Sequence, residues 1–290
     1  MCEETLPSLD DRIGGGTRRD RFIFRISPLL FAMQLLVWLI TPAWADFMEG
    51  WQAYQRGEFE TAFKHWVVLG EEGDAVAQYN VGVMYDEGTG VARNTERAAD
   101  WWHRAAVQGH PLAQHNLALF LIERAQEADL ELAAHRLQQA ASAGFAPSQY
   151  SLGKLFAAGL GVERDDERAF ALFLQAGKAG FVKAQYNLGK LYRDGRGVEA
   201  DAAKSVSWFS QAADQGYAKA QEKLATRYAE GEGVEKDLVE ALKWATLAAR
   251  EGHPAAQQRR RELLTVMTKG EILEAERRGG AFQPRTPTQN

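Results

Sequence analysis

The sequence predicts an all-α fold, a solenoid of stacked helical pairs, and three observations carry that prediction. A glutamine returns at a fixed interval: Gln78, Gln114, Gln149, Gln185, Gln221 and Gln257 follow one another at spacings of 36, 35, 36, 36 and 36 residues. A period in that range marks repeats that each form one helical pair and bury their apolar face only against neighbours. Four residues after each of the first five glutamines stands a small residue, Gly82, Ala118, Gly153, Gly189 or Ala225. A glycine inside a helix costs about 1 kcal/mol against alanine, so close helix packing must offset it. In four of the five units a Gly-x-Gly-Val turn comes next, at Gly88–Val91, Gly159–Val162, Gly195–Val198 and Gly231–Val234.

The elements follow in chain order. In residues 1–45, Arg18, Arg19, Arg21 and Arg25 precede an apolar run from Pro28 to Ile40, then the small-residue site Ala43-Trp44-Ala45. This is the pattern of a signal peptide cleaved after Ala45. The run is shorter than the roughly 20 residues of a comfortable span; retention as an uncleaved inner-membrane anchor is the competing expectation. Residues 46–74 hold a degenerate helix pair, with Trp51, Tyr54, Phe59, Ala62 and Trp66, expected to cap the array.

Five units then span 75–110, 111–145, 146–181, 182–217 and 218–253. In the first, Ala77, Val81, Gly82 and Tyr85 share one face at helical period. The turn glycines accept positive φ. Asn94, Asp165, Asp201 and Asp237 stand three residues past the turn valine as N-caps of each second helix, and Asp237 with Glu240 gives the pattern of a capping box. The second unit is one residue short and replaces the glycine turn with Arg124-Ala125-Gln126, so the same helix pair is expected around another turn. Trp101, Trp208 and Trp244 recur at one phase and read as core. Residues 254–280 read as C-terminal capping helices and 281–290 as a disordered tail.

The densest unit reads Ala184-Gln185-Tyr186-Asn187-Leu188-Gly189-Lys190-Leu191-Tyr192, Gly195-Arg196-Gly197-Val198, then Trp208, Ala212-Ala213 and Gly216. The chain resembles the Sel1-like repeat family, a branch of the tetratricopeptide-type helical repeats. The resemblance implies a right-handed α/α superhelix, protein–protein scaffolding as the usual role, and first helices that face the concave side.

Composition excludes several classes. The net charge is −5, and residues 1–45 carry five basic and five acidic residues, so their removal leaves it unchanged. Nucleic-acid binders show a basic footprint; here only Arg259-Arg260-Arg261 stands out, and it reads as a solvated helix face. The sole cysteine, Cys2, lies in the leader, which leaves an exported chain without disulfides. The six histidines make no H-E-x-x-H and no metal pattern, so no cofactor and no metal are expected. Ser151-Leu152-Gly153-Lys154 matches S-x-x-K, the nucleophile motif of penicillin-binding proteins and β-lactamases. No Ser-Asp-Asn or Lys-Thr-Gly completes it, and Ser151 occupies the slot of Asn80, Asn116, Asn187 and Lys223 in the repeat.

With the consensus positions turned inward, positions two, five and nine after the glutamine form an exposed stripe, three and four residues apart. A partner protein is expected on Asn80, Val83, Asn116, Leu119, Lys154, Asn187, Lys190, Asp194, Lys223 and Glu230. The function expected is an exported, non-enzymatic scaffold or adaptor, periplasmic, in envelope signalling or assembly, with no nucleic acid and no membrane insertion after cleavage. Two other readings stay open: a secreted or surface effector that binds a host protein, and a cell-wall or β-lactam hydrolase using Ser151 and Lys154.

Overall fold

The computed structural model describes residues 42–285, with side chains from Asp46 onward; the expected leader up to residue 41 and residues 286–290 lie outside the described residues. The described residues form fourteen α-helices and no strand. They run α1 (Pro42–Gln55), α2 (Phe59–Glu71), α3 (Ala75–Glu87), α4 (Thr95–Val107), α5 (Pro111–Arg124), α6 (Glu127–Ser142) and α7 (Ala146–Ala158), then α8 (Asp166–Lys178), α9 (Val182–Asp194), α10 (Ala202–Asp214), α11 (Ala218–Glu230), α12 (Leu238–Arg250), α13 (Pro254–Val266) and α14 (Lys269–Gly280). The described residues divide into two compact units, residues 42–148 with 160–162, and residues 149–159 with 163–285.

In four repeats the recurring glutamine ties the first helix to the helix before it. Gln78 Nε2 donates to the Gly70 carbonyl at 2.8 Å, Gln114 to Ala106 at 3.2 Å, Gln185 to Gly177 at 3.1 Å and Gln221 to Ala213 at 3.3 Å. Each acceptor sits near the C-terminal end of the preceding helix, where carbonyls lack intrahelical partners. A second glutamine completes the joint in both units: Gln108 Nε2 donates to Gln78 Oε1 at 2.8 Å, and Gln215 Nε2 to Gln185 Oε1 at 2.7 Å. A buried amide left unmatched costs about 1–3 kcal/mol, which explains why the residue returns in every repeat.

Two glycine positions are set by approach distance. A Cβ on Gly189 would stand 2.5 Å from the Phe209 ring, and one on Gly82 2.5 Å from Trp102, so α9 meets α10, and α3 meets α4, at a bare backbone. The second turn glycine has φ +66° at Gly197, and a Cβ there would overlap the Asp166 carbonyl at the start of α8.

The N-caps form as expected. Asn94, Asp165 and Asp201 each accept from the backbone N–H three residues on, all at 2.9 Å. Asp237 accepts from Val239 and Glu240, but the reciprocal half of the box is absent. Glu240 instead accepts from Lys243 at 3.0 Å and Arg278 at 2.8 Å, because two cations from α12 and α14 outbid one backbone N–H for its carboxylate. Where the glycine turn is missing, Ala125 closes α5 with φ +55°, the one non-glycine residue at positive φ among the described residues.

Each unit has its own core. Trp66, Tyr79, Trp102 and Leu137 are fully buried in the first; Phe209, Leu224, Leu242 and Trp244 are buried in the second, where Leu263 and Met267 of the capping segment join them. Residues 281–285 of the expected tail make contacts within the second unit. Phe282 meets the Trp244 ring edge-on at 5.5 Å, the Arg285 N–H donates to the Asp214 carbonyl at 2.7 Å, and the Arg285 guanidinium lies 3.4 Å from the Asp214 carboxylate. One aromatic ring and one backbone bond anchor a segment whose sequence shows no periodicity.

Candidate partner-binding face

The stripe expected on the first helices differs between the two units. In the first unit, Asn80, Val83 and Asn116 are buried at 2–3% exposure, and Leu119 is half-buried. The expectation of an exposed stripe is corrected there. The reason lies in composition: α3 reads AVAQYNVGVMYDE and α5 PLAQHNLALFLIER, both apolar almost all round, and such helices have no face to give to water. Asn116 is hydrogen-bonded to the Tyr79 hydroxyl, which burial raises above its ordinary pKa.

The second unit is different. α9 reads VKAQYNLGKLYRD and α11 AKAQEKLATRYAE, with polar and charged residues filling one side. Lys154, Asn187, Lys190 and Lys223 are half-buried, while Asp194 and Glu230 are exposed. Asp194 holds Arg193 through two bonds, 2.6 and 2.8 Å, which keep its carboxyl below the usual range. Glu230 lies 3.2 Å from Arg259, and Lys223 lies 3.0 Å from Glu222. The two acidic members of the set are therefore engaged within the unit.

Two lysines that the notion of positions two, five and nine omits complete the pattern. Lys183 and Lys219 stand two residues before their glutamines, so Lys183, Asn187 and Lys190 fall at i, i+4 and i+7 on α9, and Lys219 and Lys223 at i and i+4 on α11. Extending the helical period one step toward the N-terminus is the signal that finds them. Lys154 on α7 lies within the field of Lys183, Lys190 and Lys219; burial first, and these like charges second, bring its ammonium down to about 8. Lys190 is lowered in the same way, by burial and then by Arg193, with Lys223 also acting on it.

This geometry bears on the S-x-x-K pattern. Lys154 Nζ is shielded and has no hydrogen-bond partner among the described residues, so it does not hold the Ser151 hydroxyl as a base would. Its nearest aromatic group is the Tyr150 ring, 6.0 Å from Nζ. Among the described residues no three His, Cys, Asp or Glu side chains are gathered to hold a metal ion.

The family model for the Sel1 repeat matches residues 75–110, 111–145, 146–181, 182–217 and 218–253, more than half of the chain. The protein belongs to the Sel1 repeat family. Sel1 repeats generally mediate protein–protein interaction. Among solved structures, a Sel1 repeat protein from Oxalobacter formigenes is similar at 26% identity and TM-score 0.69, with 84% of this chain and 99% of that one covered. A protective antigen present in uropathogenic Escherichia coli strains, c5321, displays the same repeat fold at 23% identity and TM-score 0.54, with 83% of this chain and 60% of that one covered; at that identity it shows fold alone. Among curated proteins, the Sel1-like repeat-containing protein L21 of Acanthamoeba polyphaga mimivirus is 30% identical over 83 residues, 29% of this chain; the match spans only 15% of that relative's length.

Proposed function

We propose that this Sel1 repeat protein is an exported, non-enzymatic adaptor that works in the periplasm and binds another protein of the envelope on the face carried by its first helices. The observation that supports this most is the division of labour within α9 and α11. Ala184, Gln185, Leu188, Ala220, Gln221 and Leu224 are consumed by packing and joint sealing, while Lys183, Asn187, Lys190, Lys219 and Lys223 between them are left at least partly accessible. Polar groups kept in register along successive helices suit recognition of an extended partner segment. The S-x-x-K lysine lacks the serine contact that catalysis needs, which favours binding over hydrolysis.

Export rests on the charged region, the apolar run and the Ala43-Trp44-Ala45 site. No helix among the described residues is long and apolar enough to cross a membrane. The site lies in the first turn of α1, so cleavage after Ala45 trims that turn and leaves the Trp66 side of the α1–α2 pair in place. Fractionation of native cells, N-terminal sequencing of the tagged chain and crosslinked capture test the reading together. A periplasmic chain that begins at Asp46 and carries a defined envelope protein is the expected result. A chain that retains residues before Asp46, or that captures nothing above an untagged control, overturns it.

A further inference from the structure

We infer that the lysine cluster of the second unit is a docking site for an acidic, carboxylate-rich peptide segment of the partner protein. This rests on the adaptor reading and names the chemistry its partner must present. Five lysines stand on three first helices: Lys154 of α7, Lys183 and Lys190 at i and i+7 on one face of α9, and Lys219 and Lys223 at i and i+4 on one face of α11; Lys183, Lys190 and Lys219 all act on Lys154. Among the described residues only Lys223 has a carboxylate within 4.0 Å, its neighbour Glu222. The other four have no carboxylate within 4.0 Å there, in a chain whose net charge is −5 and most of whose described arginines have one: Arg104 with Glu71, Arg164 with Asp166, Arg193 with Asp194, Arg277 with Glu274.

The carboxylates near these lysines are already engaged: Glu222 holds Lys223, and Asp194, which also acts on Lys190, is held by Arg193. Lys154 makes the point sharpest, because its Nζ is shielded from water without a hydrogen-bond partner and surrounded by like charge. A buried ammonium without a counter-charge is unfavourable, and a bound anion relieves it. Exposure grades outward from it: Lys183, Lys190 and Lys223 are half-buried and Lys219 is exposed, so several carboxylates can be met at once. Asn187, between Lys183 and Lys190 on the same stripe, adds an amide that can donate to and accept from a peptide backbone. The three-helix spread of the lysines suits successive acidic side chains of an extended segment better than a single small anion.

The test uses the full mature chain and fluorescence anisotropy with a labelled peptide that alternates glutamate and serine. The same peptide with glutamine for glutamate is the control, and a single-stranded oligonucleotide of equal charge is the competitor. Binding of the glutamate peptide is expected, at least about tenfold tighter than the glutamine version, and weakening with salt as surface charge is screened. Lys183→Glu with Lys190→Glu is expected to lose at least about tenfold in affinity, with an unchanged helical circular dichroism spectrum. Lys236→Glu, on the turn after α11, is expected to bind as the parent does. Equal binding of both peptides, insensitivity to the double reversal, or equal binding of the oligonucleotide overturns the site. A partner captured equally by the parent and the double variant leaves the adaptor reading standing and removes the lysine site. An acidic peptide that binds while native capture fails does the reverse.

Discussion

His110 shows how much of a repeat protein's stability is decided by single positions. Its Nδ1 accepts the Ala113 N–H at 3.3 Å, which makes it the N-cap of α5, and its ring stacks on Tyr79 at 4.8 Å. Only neutral imidazole can accept there. Burial brings its pKa down to about 4, with Asp74 opposing. The unfolded chain takes up this proton near pH 6.5 and the folded chain only near 4, so the stabilisation is complete above about pH 6.5 and is lost as the pH falls toward 4. Over that window the loss is on the order of 2–3 kcal/mol. His110→Asn keeps a side-chain acceptor without the titration, and its thermal midpoint is expected to fall less than the parent's between pH 6.5 and 4.5; a parallel fall of both removes His110 as the cause. Lys154 follows the same linkage on the other side of neutrality. Its pKa is depressed from the ordinary 10.5 to about 8, so the folded state carries a penalty below pH 8 that fades as the pH rises toward 10.5. Lys154→Met is therefore expected to raise the thermal midpoint at pH 7 and to lose that gain by pH 10.5. At this scale the sequence was legible wherever a role is local: the caps at Asn94, Asp165 and Asp201 follow from type and offset. His110 was not legible as a cap, because a histidine caps only when its pocket keeps it neutral.

The helix pair is the element that the period reveals, and its turn explains why two glycines are used where one seems enough. Gly195 and Gly197 have nearly the same φ, +65° and +66°, but different surroundings. A Cβ on Gly195 would meet Ala200 Cβ at 3.4 Å, an ordinary contact, whereas one on Gly197 would overlap the Asp166 carbonyl. Gly195→Ala is expected to cost about 1 kcal/mol, the left-handed backbone alone, and Gly197→Ala about 2–4 kcal/mol, because the start of α8 must move as well. Urea unfolding of the two variants checks this; equal midpoints would show that α8 yields freely. The recognition of the turn as a turn was readable from Gly-x-Gly-Val. Which glycine bears on the previous repeat was not, since that contact spans some 31 positions and depends on how the pairs stack. The same limit applies to the stripe. Its period was readable, and Lys154, Asn187, Lys190 and Lys223 keep part of their surface, but the burial of Asn80, Val83 and Asn116 depends on the apolar surroundings of α3 and α5 as a whole. Counting forward from the glutamine also missed Lys183 and Lys219, which precede it.

At the scale of the molecule, a solenoid is held by nearest-neighbour interfaces, so damage at one end should remain local. The C-terminal capping segment gives this a direct test. Leu263 and Met267 of α13 and its following turn, with Ala275 of α14, complete the core around Leu242 and Trp244. Arg278 reaches back 2.8 Å to Glu240, and Phe282 covers Trp244. Removing residues 254–290 uncovers that core at once. Burial of a Leu or Met side chain contributes about 1.5–3 kcal/mol, so the loss of several such contacts exceeds what one interface can spare. The core of the first unit, around Trp66, Tyr79, Trp102 and Leu137, uses no residue of that segment. Hydrogen exchange of the truncated chain is therefore expected to show strongly weakened protection in α11 and α12 and unchanged protection in α3, α4 and α5. Uniform loss across all five helices would mean that the array folds as one cooperative block and that nearest-neighbour stacking does not describe it. The lysine site adds a second readout to the same chain. Lys219 and Lys223 stand on α11, inside the segment expected to loosen, whereas Lys183 and Lys190 stand on α9, one pair away from the cut. An acidic peptide that needs all three helices should bind the truncated protein more weakly, and at saturating concentration it should restore protection to α11, because a ligand that binds only the folded cluster stabilises it by mass action.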